Sequence, residues 1–159
     1  MNKVYLVKLK PLILSIAIPL AVGFIASMIT KDAMGTFNAV TKPPLAPPAI
    51  VFPIVWTILY ILMGISAYLV YSSDSPYKWD ALRAYGLQLA VNFFWSIIFF
   101  NFRAYLLAFI WLVLLWILIA VMISSFKKVD KLAAYLQIPY LIWVTFAGYL
   151  NLSIYLLNR

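Results

Sequence analysis

Apolar residues fall into five long windows, at about residues 11–29, 50–71, 82–100, 104–126 and 132–157, each near the ~20 residues that cross a hydrocarbon core as a helix. The runs lack the strict alternation of a barrel strand, and lipid offers no water to satisfy an open backbone, so the windows predict helices. Polar and charged residues gather in the connections: Lys31 and Asp32 through Lys42 to Pro48, Ser72 to Asp80, Asn101 to Arg103, and Lys127 to Lys131. The reading is an all-α integral membrane protein, a single bundle of five transmembrane helices over residues 1–159, with a Pro-rich loop at 30–49.

Composition agrees, since 67% of the residues are hydrophobic and 10% charged, far from the usage of water-soluble domains. Lys3, Lys8 and Lys10 before the first window imitate a signal peptide. The apolar run continues through Ile29, beyond the ~7–15 residues of a signal h-region, so the segment is expected to stay as a helix. The net charge of +8 does not point to nucleic acid, because the basic residues sit in short flanks rather than along one stripe. Eight Lys and Arg lie on the amino-terminal side of the membrane and four (Lys31, Lys42, Arg103, Arg159) on the other, which predicts a cytoplasmic amino terminus. Short loops and the lack of cysteine fit a bacterial cell membrane.

Cysteine and histidine are both absent, which removes disulfides, thiol nucleophiles, imidazole bases and the usual zinc, copper and haem-iron ligands. No metal site is expected. All four acids, Asp32, Asp74, Asp80 and Asp130, lie in connecting segments. Acid–base catalysis and ion or proton coupling at membrane depth are therefore disfavoured, while carriage of an uncharged apolar molecule stays open.

Five of the nine prolines fall between Pro43 and Pro53; by fixing φ and extending their predecessors they make Lys42 to Pro48 a stiff, non-helical segment, either a linker or a cover. The string Lys42-Pro43-Pro44-Leu45-Ala46-Pro47-Pro48, followed by Phe52-Pro53-Ile54-Val55-Trp56-Thr57-Ile58-Leu59-Tyr60 and Met63-Gly64, carries a family likeness. So do Gln88-Leu89-Ala90-Val91-Asn92-Phe93-Phe94-Trp95 with Phe99-Phe100, and Pro139-Tyr140-Leu141-Ile142-Trp143 with Phe146-Ala147 and Leu150-Asn151. Together, in this order, they resemble the translocator protein family, also called the tryptophan-rich sensory protein or peripheral benzodiazepine receptor family. Two positions depart from it: Thr36-Phe37 stand where the family usually has Trp-Tyr, and Leu45 where it has Trp.

The resemblance implies a receptor or sensor for porphyrins, and for sterols or isoquinoline-type compounds, with a role in their transport. It implies no required cofactor, porphyrin or haem as ligand, and a homodimer. The ligand-binding residues it implies are Pro47, Phe52, Trp56, Tyr60, Gln88, Asn92, Trp95, Trp143, Phe146, Ala147, Leu150 and Asn151. Some members are reported to degrade protoporphyrin in light, an enzyme reading in which Trp56 and Trp143 would be the oxidisable residues. Leu150, Tyr155 and Arg159 match a sterol-recognition pattern that many apolar helix ends satisfy.

Helical spacing places these residues on faces: Trp56, Tyr60 and Met63; Gln88, Asn92, Trp95 and Phe99; Trp143, Ala147, Leu150 and Asn151. Amides are costly against lipid, so Gln88, Asn92 and Asn151 should point inward, as interhelical bonds or as ligand contacts. Aromatic walls with a few amides suit a large, flat, apolar guest. Trp79, beside Lys78 and Asp80, reads as an interfacial anchor, and Trp111 and Trp116 receive no role. Pro19, Gly23 and Ser27 form a small-residue ridge for close helix approach, within the bundle or in a dimer.

Overall fold

The computed structural model describes residues 7–159, the side chain of Thr36 excepted, so Lys3 of the charge count lies outside the described residues. The elements are α1 (Leu9–Thr30), a 3₁₀ turn (Lys31–Ala33), α2 (Met34–Ala39), α3 (Val51–Tyr71), α4 (Lys78–Ser96) continued by a π turn (Ile97–Asn101), α5 (Tyr105–Lys127), α6 (Lys131–Leu136) and α7 (Ile138–Leu157). Five segments are long and apolar enough to cross a membrane: Leu9–Ala33, Val51–Tyr71, Lys78–Asn101, Tyr105–Lys127 and Lys131–Leu157.

Three boundaries differ from those read off hydropathy, each for a local reason. The third span starts at Lys78 rather than 82, because its first turn is helical but polar; Asp80 there suits the positive end of the helix dipole and pairs with Arg83 at 3.2 Å. The last span is broken at Gln137, since Pro139 has no N–H to continue the ladder and instead occupies the start of α7. The first part of the 30–49 loop is helical, as α2, because no proline interrupts it before Pro43.

α1 packs on α3, α4 on α5, and α5 on α6 and α7, while α3 also meets α6. The α1–α3 contact is tightest at Gly64, where the backbone of Ile16 occupies the place a Cβ would take. Ser15 Oγ donates to the Gly64 carbonyl at 2.7 Å in the same contact. The ridge on α1 serves this packing, since Pro19 is buried and Gly23 lies against the Tyr60 ring. Asp130 caps α6, accepting from the backbone N–H groups of Leu132 (2.9 Å) and Ala133 (3.2 Å). Met63, Val70, Leu115, Ile119, Met122 and Phe126 form a closed core with no exposure. Ile13, Ile18, Ile54, Ile58, Leu87, Ile110 and Ile142 face outward, as a lipid-facing surface requires.

α4 ends in the π turn, with the Phe102 N–H donating to the Ile97 carbonyl at 3.1 Å and Arg103 in the left-handed region at φ 51°. Asn101 Nδ2 donates to the Ile29 carbonyl at 3.2 Å, tying this turn to the end of α1.

Gly64→Ala is expected to lower stability by about 1–3 kcal/mol, because the Ile16 backbone cannot yield without moving a helix. Gly148→Ala, where an added Cβ meets nothing within 4 Å, should be neutral or stabilising. Thermal unfolding of both variants in one detergent checks the pair.

Candidate functional site

A cavity of about 710 Å³ lies between the second half of α1, the start of α3, the end of α4 and the second half of α7. From α3 it is walled by Phe52, Pro53, Trp56, Thr57 and Tyr60; from the end of α4 by Trp95, Ser96, Phe99 and Phe100; from α7 by Ala147, Leu150, Asn151 and Ile154. α1 supplies Leu20, Gly23, Phe24, Ala26, Ser27 and Thr30, and Lys31, Met34 and Phe37 close the end of the cavity. Consecutive helical residues normally diverge by ~100°, yet both Phe99 and Phe100 reach this space from the widened π turn, their ring centroids 4.8 Å apart.

The wall is aromatic and mutually braced. Trp56 stacks on Tyr60 at 5.6 Å, Trp95 lies 5.2 Å from Phe99, and Phe37 contacts Phe52, Phe99 and Phe100 at 6.4, 5.8 and 5.3 Å. Its polar groups are largely engaged with the protein. Asn151 accepts from Trp95 Nε1 at 3.1 Å and donates to the Tyr105 carbonyl at 2.8 Å. Thr30 and Thr57 bond carbonyls of their own helices, at 2.9 and 2.6 Å. A guest would meet ring faces and methyl groups far more than free donors.

α2 covers the cavity through Met34 and Phe37, and no residue of the Pro-rich segment lines it. Lys42 Nζ sits 4.9 Å from the Phe37 ring centroid and donates to the carbonyls of Asn38 and Val40, each at 3.3 Å. Asn158 pins the segment to the end of α7, accepting from the Thr41 N–H (2.9 Å) and donating to its carbonyl (2.7 Å). Pro47 is half-buried in this segment and off the cavity wall, and Leu45 is exposed.

Of the residues singled out by sequence, Phe52, Trp56, Tyr60, Trp95, Ala147, Leu150 and Asn151 meet around the cavity. Gln88 and Asn92 do not line it; they lie beneath, 0% and 2% exposed. Asn92 Nδ2 donates to the Tyr140 hydroxyl at 2.6 Å, that hydroxyl donates to Gln88 Oε1 at 2.8 Å, and the Tyr60 hydroxyl approaches Asn92 Oδ1 at 3.4 Å. Trp143 and Phe146 stand behind the wall, Trp143 against Phe52 at 5.8 Å and Phe146 at 5.6 Å. Of the sterol-pattern residues, Leu150 lines the cavity, Tyr155 is half-buried and Arg159 lies beyond the end of α7.

Sequence reasoning missed the contribution of α1 and Tyr140. Gly23 and Ser27, four apart, were the visible signal for the first, because Thr30 and Lys31 extend the same face. Trp111 and Trp116 gain a structural account: their Nε1 groups donate to the Val91 carbonyl (2.7 Å) and to Thr145 Oγ1 (2.9 Å).

Tyr140→Phe is expected to cost about 1–3 kcal/mol of stability, because Asn92 and Gln88 both lose a buried partner. The exposed Tyr149→Phe should change little; detergent melting curves distinguish them.

A model described as the TspO/MBR family matches residues 15–157. The tryptophan-rich protein TspO of Chlorobaculum tepidum is 40% identical over 152 residues, covering 92% of this chain and 95% of its own. The protein of the same name in Archaeoglobus fulgidus is 37% identical over 148 residues, covering 92% and 96%. The translocator protein of Ovis aries is 32% identical over 138 residues, covering 84% and 82%.

Proposed function

The chain belongs to the TspO/MBR family, and from that premise we propose that it is a membrane receptor or sensor that binds a porphyrin, or a similarly broad and flat apolar molecule, in the cavity capped by α2. The carrying observation is the cavity itself: about 710 Å³, faced by Phe37, Phe52, Trp56, Tyr60, Trp95, Phe99 and Phe100, with few free polar groups. Such a wall supplies stacking and apolar burial over a large area, and its volume falls in the ~300–1,000 Å³ range of small-molecule sites. With no His or Cys in the chain, a tetrapyrrole would be held by its ring and edge rather than by strong axial ligation.

Basic residues favour an orientation in which the cavity end, with Lys31, Lys42 and Arg103, faces away from the cytoplasm. The ligand would then be received on the outer side of a bacterial cell membrane. Trp56 borders the cavity while Trp143 lies behind Phe52. This separation favours binding over a light-driven oxidation that calls on both indoles.

Titration of the purified protein with protoporphyrin IX, followed by tryptophan quenching, tests the proposal. Ala147→Trp fills the cavity and is expected to weaken binding at least about tenfold, or ~1.4 kcal/mol. Ile142→Trp, on the lipid face of the same helix, should leave binding unchanged. Wild-type affinity in Ala147→Trp would refute the assigned pocket.

A further inference from the structure

We propose that Lys31 selects ligands bearing a carboxylate at their edge, so that the guest is an amphiphilic acid seated with its acidic edge at the α2 end of the cavity. The proposal rests on the binding function assigned above and adds the chemical class of the ligand. Among the described residues that line the cavity, Lys31 is the one with a formal charge, and no Asp or Glu accompanies it. A cation with no acid beside it on the cavity wall marks the end at which a negative group is welcome.

Position supports the charge argument. Lys31 opens the 3₁₀ turn that carries α1 into α2, and it is exposed on one side while bordering the cavity on the other. Its flexible stem can rest on the apolar wall while the ammonium stays at the mouth. Asp32 follows it directly but does not line the cavity, because successive residues of a 3₁₀ turn point about 120° apart. Lys42, the nearby cation outside the wall, is already engaged with two carbonyls and the Phe37 ring.

α3 adds to the same end. Its first turn contributes Phe52 and Pro53 to the wall and holds no acidic residue, so the positive end of its dipole is not offset there. A carboxylate placed near Lys31 would gain a charge-assisted hydrogen bond, roughly twice as strong as a neutral one. A neutral sterol or ester of the same breadth would gain only burial, leaving the ammonium to water. Discrimination between acid and ester therefore belongs to Lys31, whereas affinity for the ring belongs to the aromatic wall.

The experiment compares protoporphyrin IX with its dimethyl ester, titrated into wild type, Lys31→Gln and Lys31→Arg in phosphatidylcholine nanodiscs. Comparing acid-to-ester affinity ratios between proteins cancels the different partitioning of the two ligands into lipid. The ratio is expected to fall about tenfold in Lys31→Gln, to persist in Lys31→Arg, and to shrink in wild type as salt is raised. Arg103→Gln, which removes a charge at the same end but off the wall, should leave the ratio unchanged. An equal ratio in wild type and Lys31→Gln, with both ligands bound, overturns the role of Lys31 and leaves the pocket standing. Failure of wild type to bind either ligand overturns the binding function as well. Should Lys31→Gln not fold, a wild-type ratio insensitive to salt overturns the proposal, and a salt-sensitive ratio retained in Lys31→Arg supports it.

Discussion

A side-chain amide inside a bilayer has no water to turn to, so it must find protein partners or leave the membrane interior. Asn92 and the carbonyl oxygen of Gln88 meet that constraint through one hydroxyl, that of Tyr140, which accepts from the first and donates to the second, while Gln88 Nε2 is buried without a hydrogen-bond partner. The bridge ties α4 to α7, and Tyr60 on α3 reaches toward it. On one side of this bridge the bundle closes into the core of Met63, Leu115, Ile119 and Phe126; on the other, around Tyr60, it opens into the cavity. A void of this size loses packing contacts along its whole lining, and the hydrogen-bonded floor, the braced rings and the α2 lid hold its walls apart.

The five spans were legible because length and hydropathy act on every residue of a window, so a few polar intrusions at Lys78 or Gln137 move boundaries without changing the count. The cavity was legible only where chemistry stood out from its apolar surroundings. Trp56, Tyr60, Trp95 and Asn151 share helix faces that spacing exposes, and they meet around the void. The inward-amide rule predicts burial alone; whether an amide touches a neighbouring helix or a guest depends on a partner elsewhere in the chain. Asn92 and Gln88 found Tyr140, a partner 48 and 52 residues away respectively. α1 is so apolar that only small and weakly polar residues, Gly23, Ser27 and Thr30, mark the face that borders the cavity. Its glycine matters through the space it leaves for the Tyr60 ring.

The departures from the family pattern in the first loop have a local resolution. Phe37 is buried among Phe52, Phe99 and Phe100 and caps the cavity from α2. Leu45 lies exposed in the Pro-rich segment, whose stiffness helps Lys42 and Asn158 hold the lid in place. With most polar groups of the wall engaged by the protein, the proposed binding would leave selection among guests to shape, ring contact and the charge at the mouth. That division suits a protein working in lipid, where burial alone offers little contrast between a cavity and the membrane around it.

The binding proposed above requires a broad apolar guest to lie inside the bundle rather than on its surface. A crystal structure of the protein grown with protoporphyrin IX in a lipid phase tests it most directly. Tetrapyrrole density is expected between Trp56, Trp95 and Ala147 beneath Phe37; density confined to the outer groove between α1 and α4, beside Val22 and Phe93, with the cavity free of it, would overturn the proposed binding.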